Sequence, residues 1–507
     1  MELHADQRRD TRHDTAILIA FAVGVLVLHI VTNEQYGFHR DELATLDDAH
    51  FLTWGYVAYP PVTPLLGRLS LELFGISVRG ARFFPALAQA IAIFLSGLMA
   101  RELGGGRLAQ VVAAAAVAIA PASLTAGHLL QYVTFDYLWW VLTAYLLMRL
   151  LRTDNAGLWP VIGAVVGLGM LTKYTMIFLV VGLLAGMLLT DARRYLKSPQ
   201  LWIGVAISLA IFLPNLIWQV RHGFISLEFL SEIHEHDIRL GRTQFFLPEQ
   251  LLVCANLVTI PLWVAGLLYY FFARAARPFR LMGWMFLVVF VVFLVAKGRG
   301  YYLAPAYPTL LAAGAVVEER WLLSLRRWNA NCMRAATLLA LLAGGVAAIT
   351  VTLPIAPARS RWFGVVARYN GYFREEIGWP ELVAEVAKVR DSLPADEIGQ
   401  AAVLAANYGE AGAINMYGRA YGLPKAISGM NSYWARGYGD PPPQIVIVVG
   451  FSSREVNQFF TSCELAGHVT NQFHLINEET RDHPDIFVCR KLRYDWPEFW
   501  QRFRYFG

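Results

Sequence analysis

Two carboxylates stand side by side in YGFHRDEL (36–43): Asp41 and Glu42, flanked by His39 and Arg40. An acid so placed can act as a general base once burial and neighbours tune it; as a solvated acidic loop it would pair with Arg40. Asp136, in QYVTFDYLWWVL, sits at the outer end of an apolar run, where an ionisable group marks a site or caps a helix. Three cations could answer these acids. Lys173 lies in LTKYT, and Lys297 and Arg299 lie in KGRGYYLAPAYP, with Tyr302 beside them. Arginine grips phosphate bidentately and glycine allows close backbone approach, although each cation would also serve as a headgroup anchor. In HEHD (234–237), His234 and His236 are two apart and diverge on a helix, so no metal site is expected. Two acids and several cations around one wet cavity suit a reaction that deprotonates a hydroxyl while neutralising a leaving phosphate.

The rest of the chain must position these groups. It has 507 residues, 56% hydrophobic and 16% charged, with mean hydropathy +0.43. That much apolar surface predicts a polytopic α-helical membrane protein. Eleven spans are expected, at 15–32, 83–100, 108–124, 133–149, 157–171, 175–190, 201–219, 249–272, 281–296, 302–318 and 335–353. The first follows a polar tail and lacks a small-residue cleavage site, so it is expected to be retained as a span. The net charge of +5 is modest and scattered, which gives no reason to expect a nucleic-acid partner.

Positive charge sets the orientation. The tail with Arg8, Arg9 and Arg12 and the loops with Arg101/Arg107, Arg149/Arg152, Arg193/Arg194, Arg274/Arg277 and Arg326/Arg327 are expected in the cytoplasm. The first loop (33–82), the tip around Lys173, the loop 221–248, the GRG turn and everything after about 354 then face outward. The arms flanking Lys173 have about 15 residues each, roughly 22 Å, which is short for a full crossing. The tip should sit at or below the outer surface, where a lysine needs an anion.

The last third is different material. ELVAEVAKVRDSL (381–393) reads as an amphipathic helix, and AAVLAA, QIVIVVGF and DIFVCRKL as short buried strands. SSREVNQFF carries a capping box. The expected organisation is a membrane domain over 1–354 and a small extracytoplasmic α/β domain over 355–507. Of four cysteines, Cys463 and Cys489 fall in this region, where a bridge is open if the compartment is oxidising.

The order of motifs resembles glycosyltransferase family 39, bacterial proteins of the GT-C fold related to protein O-mannosyltransferases and lipid A aminoarabinose transferases. YGFHRDEL, WGYVAYPPVTPLLGRL, FDYLWWVL, GLGMLTKYT and GRGYYLAPAYPTLLAAGAV carry the resemblance, with NYGEAGAINMYGRAYGLPKAISGMNSYW and CRKLRYDWPEFW in the tail. The resemblance implies transfer of a sugar, with inversion, from a polyprenyl-phosphate donor to a lipid, glycan or protein hydroxyl outside the bacterial cytoplasmic membrane. It implies Asp41 as base with Glu42 beside it, Asp136 as a second outer acid, and Lys173, Lys297, Arg299 and Tyr302 around the lipid phosphate. His39, Arg40, Tyr59, Pro60 and Pro61 would shape the substrate cavity. No cofactor is implied, since the lipid phosphate is already the leaving group. Two positions depart from the pattern: Tyr59 stands where a polar or charged residue is frequent, and Met430 replaces a histidine. A lipid-linked sugar flippase or a non-enzymatic envelope assembly protein are the rival readings. A transporter would hold its charges near the midplane and show inverted repeats.

Overall fold

In the computed structural model the described residues are 2–507, with side chains from residue 12 onward; the side chains of Arg8 and Arg9 lie outside them. All eleven apolar segments are helical, two of them interrupted. Among the described residues, Arg12–Thr32, Val78–Glu102, Pro199–Arg221, Arg274–Val295 and Arg327–Thr352 are each long and apolar enough to cross a membrane. Three bent pairs could add to these, including Arg107–Ala118 with Pro121–His128 at 65° and Arg242–Leu252 with Leu257–Phe272 at 64°. In the first of these pairs, Pro121 has no N–H to continue the helix.

The helices pack through small residues. A Cβ on Gly266 would stand 1.9 Å from the Leu310 carbonyl oxygen, and one on Gly314 1.9 Å from that of Leu262. Helices Ile260–Phe272 and Tyr307–Ser324 therefore meet backbone to backbone, the contact that dispersion rewards in lipid. Helices Trp159–Met170 and Met176–Leu188 are as short as their apolar runs suggest. Lys173 at their turn is only 8% exposed.

The first loop folds over these helices as three short ones, Arg40–Asp48, Val62–Phe74 and Val78–Ala81. The His39 side chain and Glu42 form a reciprocal cap at the start of the first. The helix Val62–Phe74 is tied to the hairpin tip by the Val62 N–H donating to the Leu171 carbonyl at 3.0 Å.

Residues 401–492 build a five-stranded sheet: β1 (Ala401–Ala405), β2 (Ala426–Ile427), β3 (Ile445–Val449), β4 (Phe460–His468) and β5 (Asp485–Leu492). The order is β2-β1-β3-β5-β4, parallel through β2, β1 and β3 and antiparallel at β5 and β4. Alternation decides the two faces. Val403, Ala405, Ile447 and Val449 join the large core that includes helix Trp379–Asp391. Leu404, Val446 and Val448 turn the other way, onto Phe499, Trp500 and Phe503. The expected helix and three expected strands are present, as is the capping box of Ser452 and Glu455. β2 and β4 were not expected. A disulfide joins Cys463 on β4 to Cys489 on β5.

Helix Tyr408–Tyr417 ties this sheet to the first loop. A Cβ on Gly412 would meet the Leu43 backbone at 2.8 Å, and one on Gly409 the Arg40 Cβ at 2.8 Å. Two glycines one turn apart thus let the helix lie directly on Arg40–Asp48, bringing Tyr408 to Asp41.

Candidate active site

A cavity of about 640 Å³ opens between the first loop, helix Ile225–Arg239 and the C-terminal region. Its lining includes His39, Arg40, Asp41, Tyr59 and Arg299. Those five expected site residues are brought together from the first loop and the distant turn at Arg299.

Asp41 sits in the first turn of helix Arg40–Asp48 with its side chain 35% exposed. The Tyr408 hydroxyl donates to Oδ1 at 2.8 Å, and the Gln131 amide donates to Oδ2 at 2.5 Å. Both donors fix the carboxylate plane while the remaining lone pairs stay open to the cavity. His39 follows the same logic. Its Nδ1 accepts the Asp41 N–H at 3.2 Å, and Nε2 lies 3.1 Å from Glu375. Burial alone would lower the His39 pKa; the hydrogen bond to Glu375 and the charges of Asp41, Glu375 and Glu376 outweigh it and hold the group above its ordinary value.

Glu42 does not line the cavity. It is wholly buried, and its oxygens are taken by Arg82 (2.9 and 2.6 Å), the His39 N–H (2.9 Å) and the Leu130 N–H (2.9 Å). Arg82 also reaches Glu376 at 3.2 Å, and Glu376 meets His128 at 2.9 Å. With every acceptor occupied and no path to solvent, Glu42 is placed to hold Asp41, not to touch a substrate.

Asp136 and Lys173 lie beside the cavity but outside its lining. Asp136 accepts from Trp140 Nε1 at 3.1 Å and Thr175 Oγ1 at 2.9 Å. Lys173 Nζ stands 4.0, 5.4 and 5.8 Å from the ring centres of Tyr302, Tyr132 and Tyr301. Among the described residues it makes no ion pair within 4 Å; the aromatic faces and the more distant Asp136 carboxylate are what stabilise its charge. Tyr132 and Tyr301 also line the cavity, so the same two rings face both it and the Lys173 ammonium.

Arg299 is held bidentately by Asp237, which also takes Arg242 at 3.2 Å. The HEHD stretch therefore contributes a partner for the expected phosphate ligand. Lys297 is exposed and lies away from the cavity, at φ +53°. Pro60 and Pro61 are buried behind Tyr59 and start the helix at Val62. Tyr59 donates to Asp48 at 2.5 Å, and Arg436 binds both Asp47 and Asp48. Tyr59 thereby reaches the ionic network through its hydroxyl. Met430 lines the cavity near the chain's last residue, Gly507.

Residue-by-residue reading missed Tyr408, Gln131, Glu375 and Asp237. The signal for Tyr408 was present in NYGEAG, and that for Gln131 in QYVTFD, only five residues before Asp136.

Comparison with known proteins comes to the same group from three sides. The family described as dolichyl-phosphate-mannose-protein mannosyltransferase matches residues 58–218. Lipid A galacturonosyltransferase RgtD of Rhizobium johnstonii is 26% identical over 301 residues, covering 55% of this chain and 61% of the relative's own length. Among solved structures, ArnT from Cupriavidus metallidurans bound to undecaprenyl phosphate shares the fold at TM-score 0.59 and 17% identity, over 94% of this chain and 98% of its own. Oligosaccharyltransferase AglB from Archaeoglobus fulgidus, in complex with an inhibitory peptide and a dolichol-phosphate, matches at TM-score 0.55 and 13% identity, over 86% and 69% of the two chains. These likenesses bear out the resemblance to GT-C glycosyltransferases related to lipid A-modifying enzymes and O-mannosyltransferases, and the fold is the GT-C membrane fold.

Proposed function

We propose that this chain is a membrane glycosyltransferase that moves a sugar from a polyprenyl-phosphate donor to an acceptor hydroxyl outside the cytoplasmic membrane. One observation carries the reading: a carboxylate, Asp41, is clamped by two donors at the wall of a polar cavity and still faces it. Its support includes one relative whose name joins sugar transfer to lipid A, and solved neighbours holding undecaprenyl or dolichol phosphate. Eleven spans, a cytoplasmic N-terminus and an outer C-terminal region are part of the proposal. They rest on the loop charges and agree with a disulfide in that region.

The mechanism is a single displacement. The acceptor hydroxyl loses its proton to Asp41 as its oxygen forms a bond to the anomeric carbon. The bond from that carbon to the phosphate oxygen breaks on the opposite face, so the configuration inverts. The lipid phosphate leaves with the electron pair, its charge met by Lys173 in its tyrosine cage and by Arg299 at the cavity wall. Glu42 and Arg82 hold the helix that carries the base.

Asp41→Asn tests this. The variant keeps size and hydrogen-bonding geometry but cannot take a proton, and losing a positioned base costs roughly 10²–10⁴-fold in rate. Purified Asp41→Asn should bind a polyprenyl-phosphate analogue normally and transfer no sugar above that residual level. Near-normal turnover would remove Asp41 from the chemistry.

A further inference from the structure

The helix Arg361–Tyr369 follows the last apolar helix, Arg327–Thr352, and leads into the turn Gly371–Glu376. Ser360 starts it, its hydroxyl accepting the Phe363 N–H at 3.1 Å. Phe363, Val366 and Ala367 form its buried side, with the Phe363 ring edge-on to that of Tyr36 at 5.4 Å. Two hydrogen bonds fix its height. The hydroxyl of Tyr36, just past the end of Arg12–Thr32, donates to the Ala356 carbonyl, and the Asn370 amide donates to the Val351 carbonyl at 3.2 Å. The helix therefore lies across the ends of the first and last apolar helices, where such helices leave the lipid.

What this helix leaves unburied has two characters. Trp362, Val365 and Tyr369 are 39, 54 and 79% exposed, and helical periodicity puts them on one stripe. Arg361 and Arg368, both exposed, form a row along its edge. Among the described residues neither arginine makes an ion pair. The acids that follow them are engaged elsewhere: Glu375 meets His39 at 3.1 Å, and Glu376 meets His128 at 2.9 Å and Arg82 at 3.2 Å.

An apolar and aromatic stripe edged by unpaired arginines is the pattern of a helix lying in a membrane interface, rings at the acyl boundary and guanidinium groups among the phosphates. The charge selects the headgroup. A zwitterionic lipid brings its own cation and offers the arginines no net charge. An anionic lipid leaves its phosphate free for a guanidinium fork.

The turn that follows connects this surface to the candidate site. Tyr372 lines the cavity beside Asp41, its ring 5.3 Å from that of His39, and Glu375 pairs with the same histidine.

We propose that helix Arg361–Tyr369 is a docking surface for anionic phospholipid, with Arg361 and Arg368 on the phosphate and Trp362, Val365 and Tyr369 against the chains, and that this anchorage seats the turn Gly371–Glu376 against His39. Neither half rests on the transferase reading.

The test uses the full chain in phosphatidylcholine nanodiscs carrying a trace of photoreactive lipid, either phosphatidylglycerol or phosphatidylcholine, with the reactive group on an acyl chain. Cross-links are mapped by mass spectrometry. Wild type should give adducts within 361–369, roughly 10–30-fold more from phosphatidylglycerol than from phosphatidylcholine. Arg361→Gln/Arg368→Gln should bring the first yield down to the second and leave the unfolding temperature unchanged. If that variant does not fold, wild type in high salt takes its place, where screening should remove the selectivity and spare the phosphatidylcholine adducts. Absence of adducts within 361–369 from both lipids overturns the lipid surface. Equal yields from the two lipids, or in the two proteins, overturn the anionic assignment. Hydrogen exchange over 371–376 should slow when phosphatidylglycerol is added to the discs, in wild type and not in the variant. Exchange indifferent to the lipid overturns the seating of the turn and leaves the docking surface standing.

Discussion

Tyr408 reaches 367 residues back along the chain to donate a hydrogen bond to Asp41, at 2.8 Å. The same ring lies 5.0 Å from the Arg40 guanidinium, so one side chain of the C-terminal region holds two neighbours on the first loop. The helical part and the C-terminal sheet therefore build the candidate base together. Neither supplies its geometry alone.

Tyr408→Phe keeps the ring over Arg40 and deletes only the hydroxyl. The carboxylate then keeps Gln131 but can rotate about that single contact, and misplacing a reacting group is costly. The expected result is a fall in kcat of about tenfold, consistent with losing one charge-assisted hydrogen bond of roughly 1.5–3 kcal/mol. Donor affinity and thermal stability should change little. A drop in donor binding of the same size as the drop in kcat would show Tyr408 to be a binding group instead.

Arg82 is fully buried between Glu42 and Glu376. Removing one partner of such a network leaves uncompensated charge in a dry interior, which costs about 3–5 kcal/mol. Arg82→Met should give a marked loss of folded protein and a lowered unfolding temperature in detergent. Arg82→Lys should fall between, since one ammonium cannot match a guanidinium fork that also binds the Asn33 and Gly37 carbonyls. An unchanged unfolding temperature in Arg82→Met would show that the network does not hold the loop.

How much of this was legible follows from what each feature writes into sequence. Apolar runs announce helices wherever they fall, so all eleven segments were readable, although the breaks at Pro121 and before Ile260 were not. β1, β3 and β5 are buried on both faces and read as apolar runs; β4 is mostly exposed along FTSCELAGH and carries no alternation. Asp41 was found because it stands beside Glu42 after an apolar run, yet their division of labour was hidden. Only the fold shows that one side chain meets Arg82 and the other faces a cavity. Tyr408, Glu375 and Asp237 are ordinary residues in their own neighbourhoods, and their meaning lies in partners far away along the chain.

Lys173 offers a cleaner test of the proposed phosphate site than Arg299, which is already engaged by Asp237. Its ammonium is caged by tyrosines and has no acid within ion-pair distance among the described residues. A lipid phosphate would supply that partner through a charge-assisted contact. Lys173→Ala should weaken binding of a polyprenyl-phosphate analogue by roughly 10–150-fold and leave a phosphate-free acceptor unaffected. Equal affinities would move the phosphate to Arg299.

Glu410 gives the C-terminal region a pH dependence of defined sign. It is buried, caps the helix Tyr408–Tyr417, and accepts the N–H groups of Ala406 and Asn407 at 2.9 and 3.2 Å. Burial first, and the charge of Glu479 second, raise its pKa from the ordinary 4.5 to about 8. The folded state thus holds a proton that the unfolded chain has lost, so this group's contribution to stability is full below about pH 4.5. It then declines at about 1.4 kcal/mol per pH unit until the folded group ionises near pH 8. Glu410→Gln keeps an acceptor for both N–H groups and removes the titration. Unfolding temperatures of wild type and variant, measured from about pH 5 to 8 in one detergent, should diverge as pH rises, with the variant the flatter of the two. Parallel curves would mean that Glu410 is ionised throughout, its charge met by the backbone donors and Arg40.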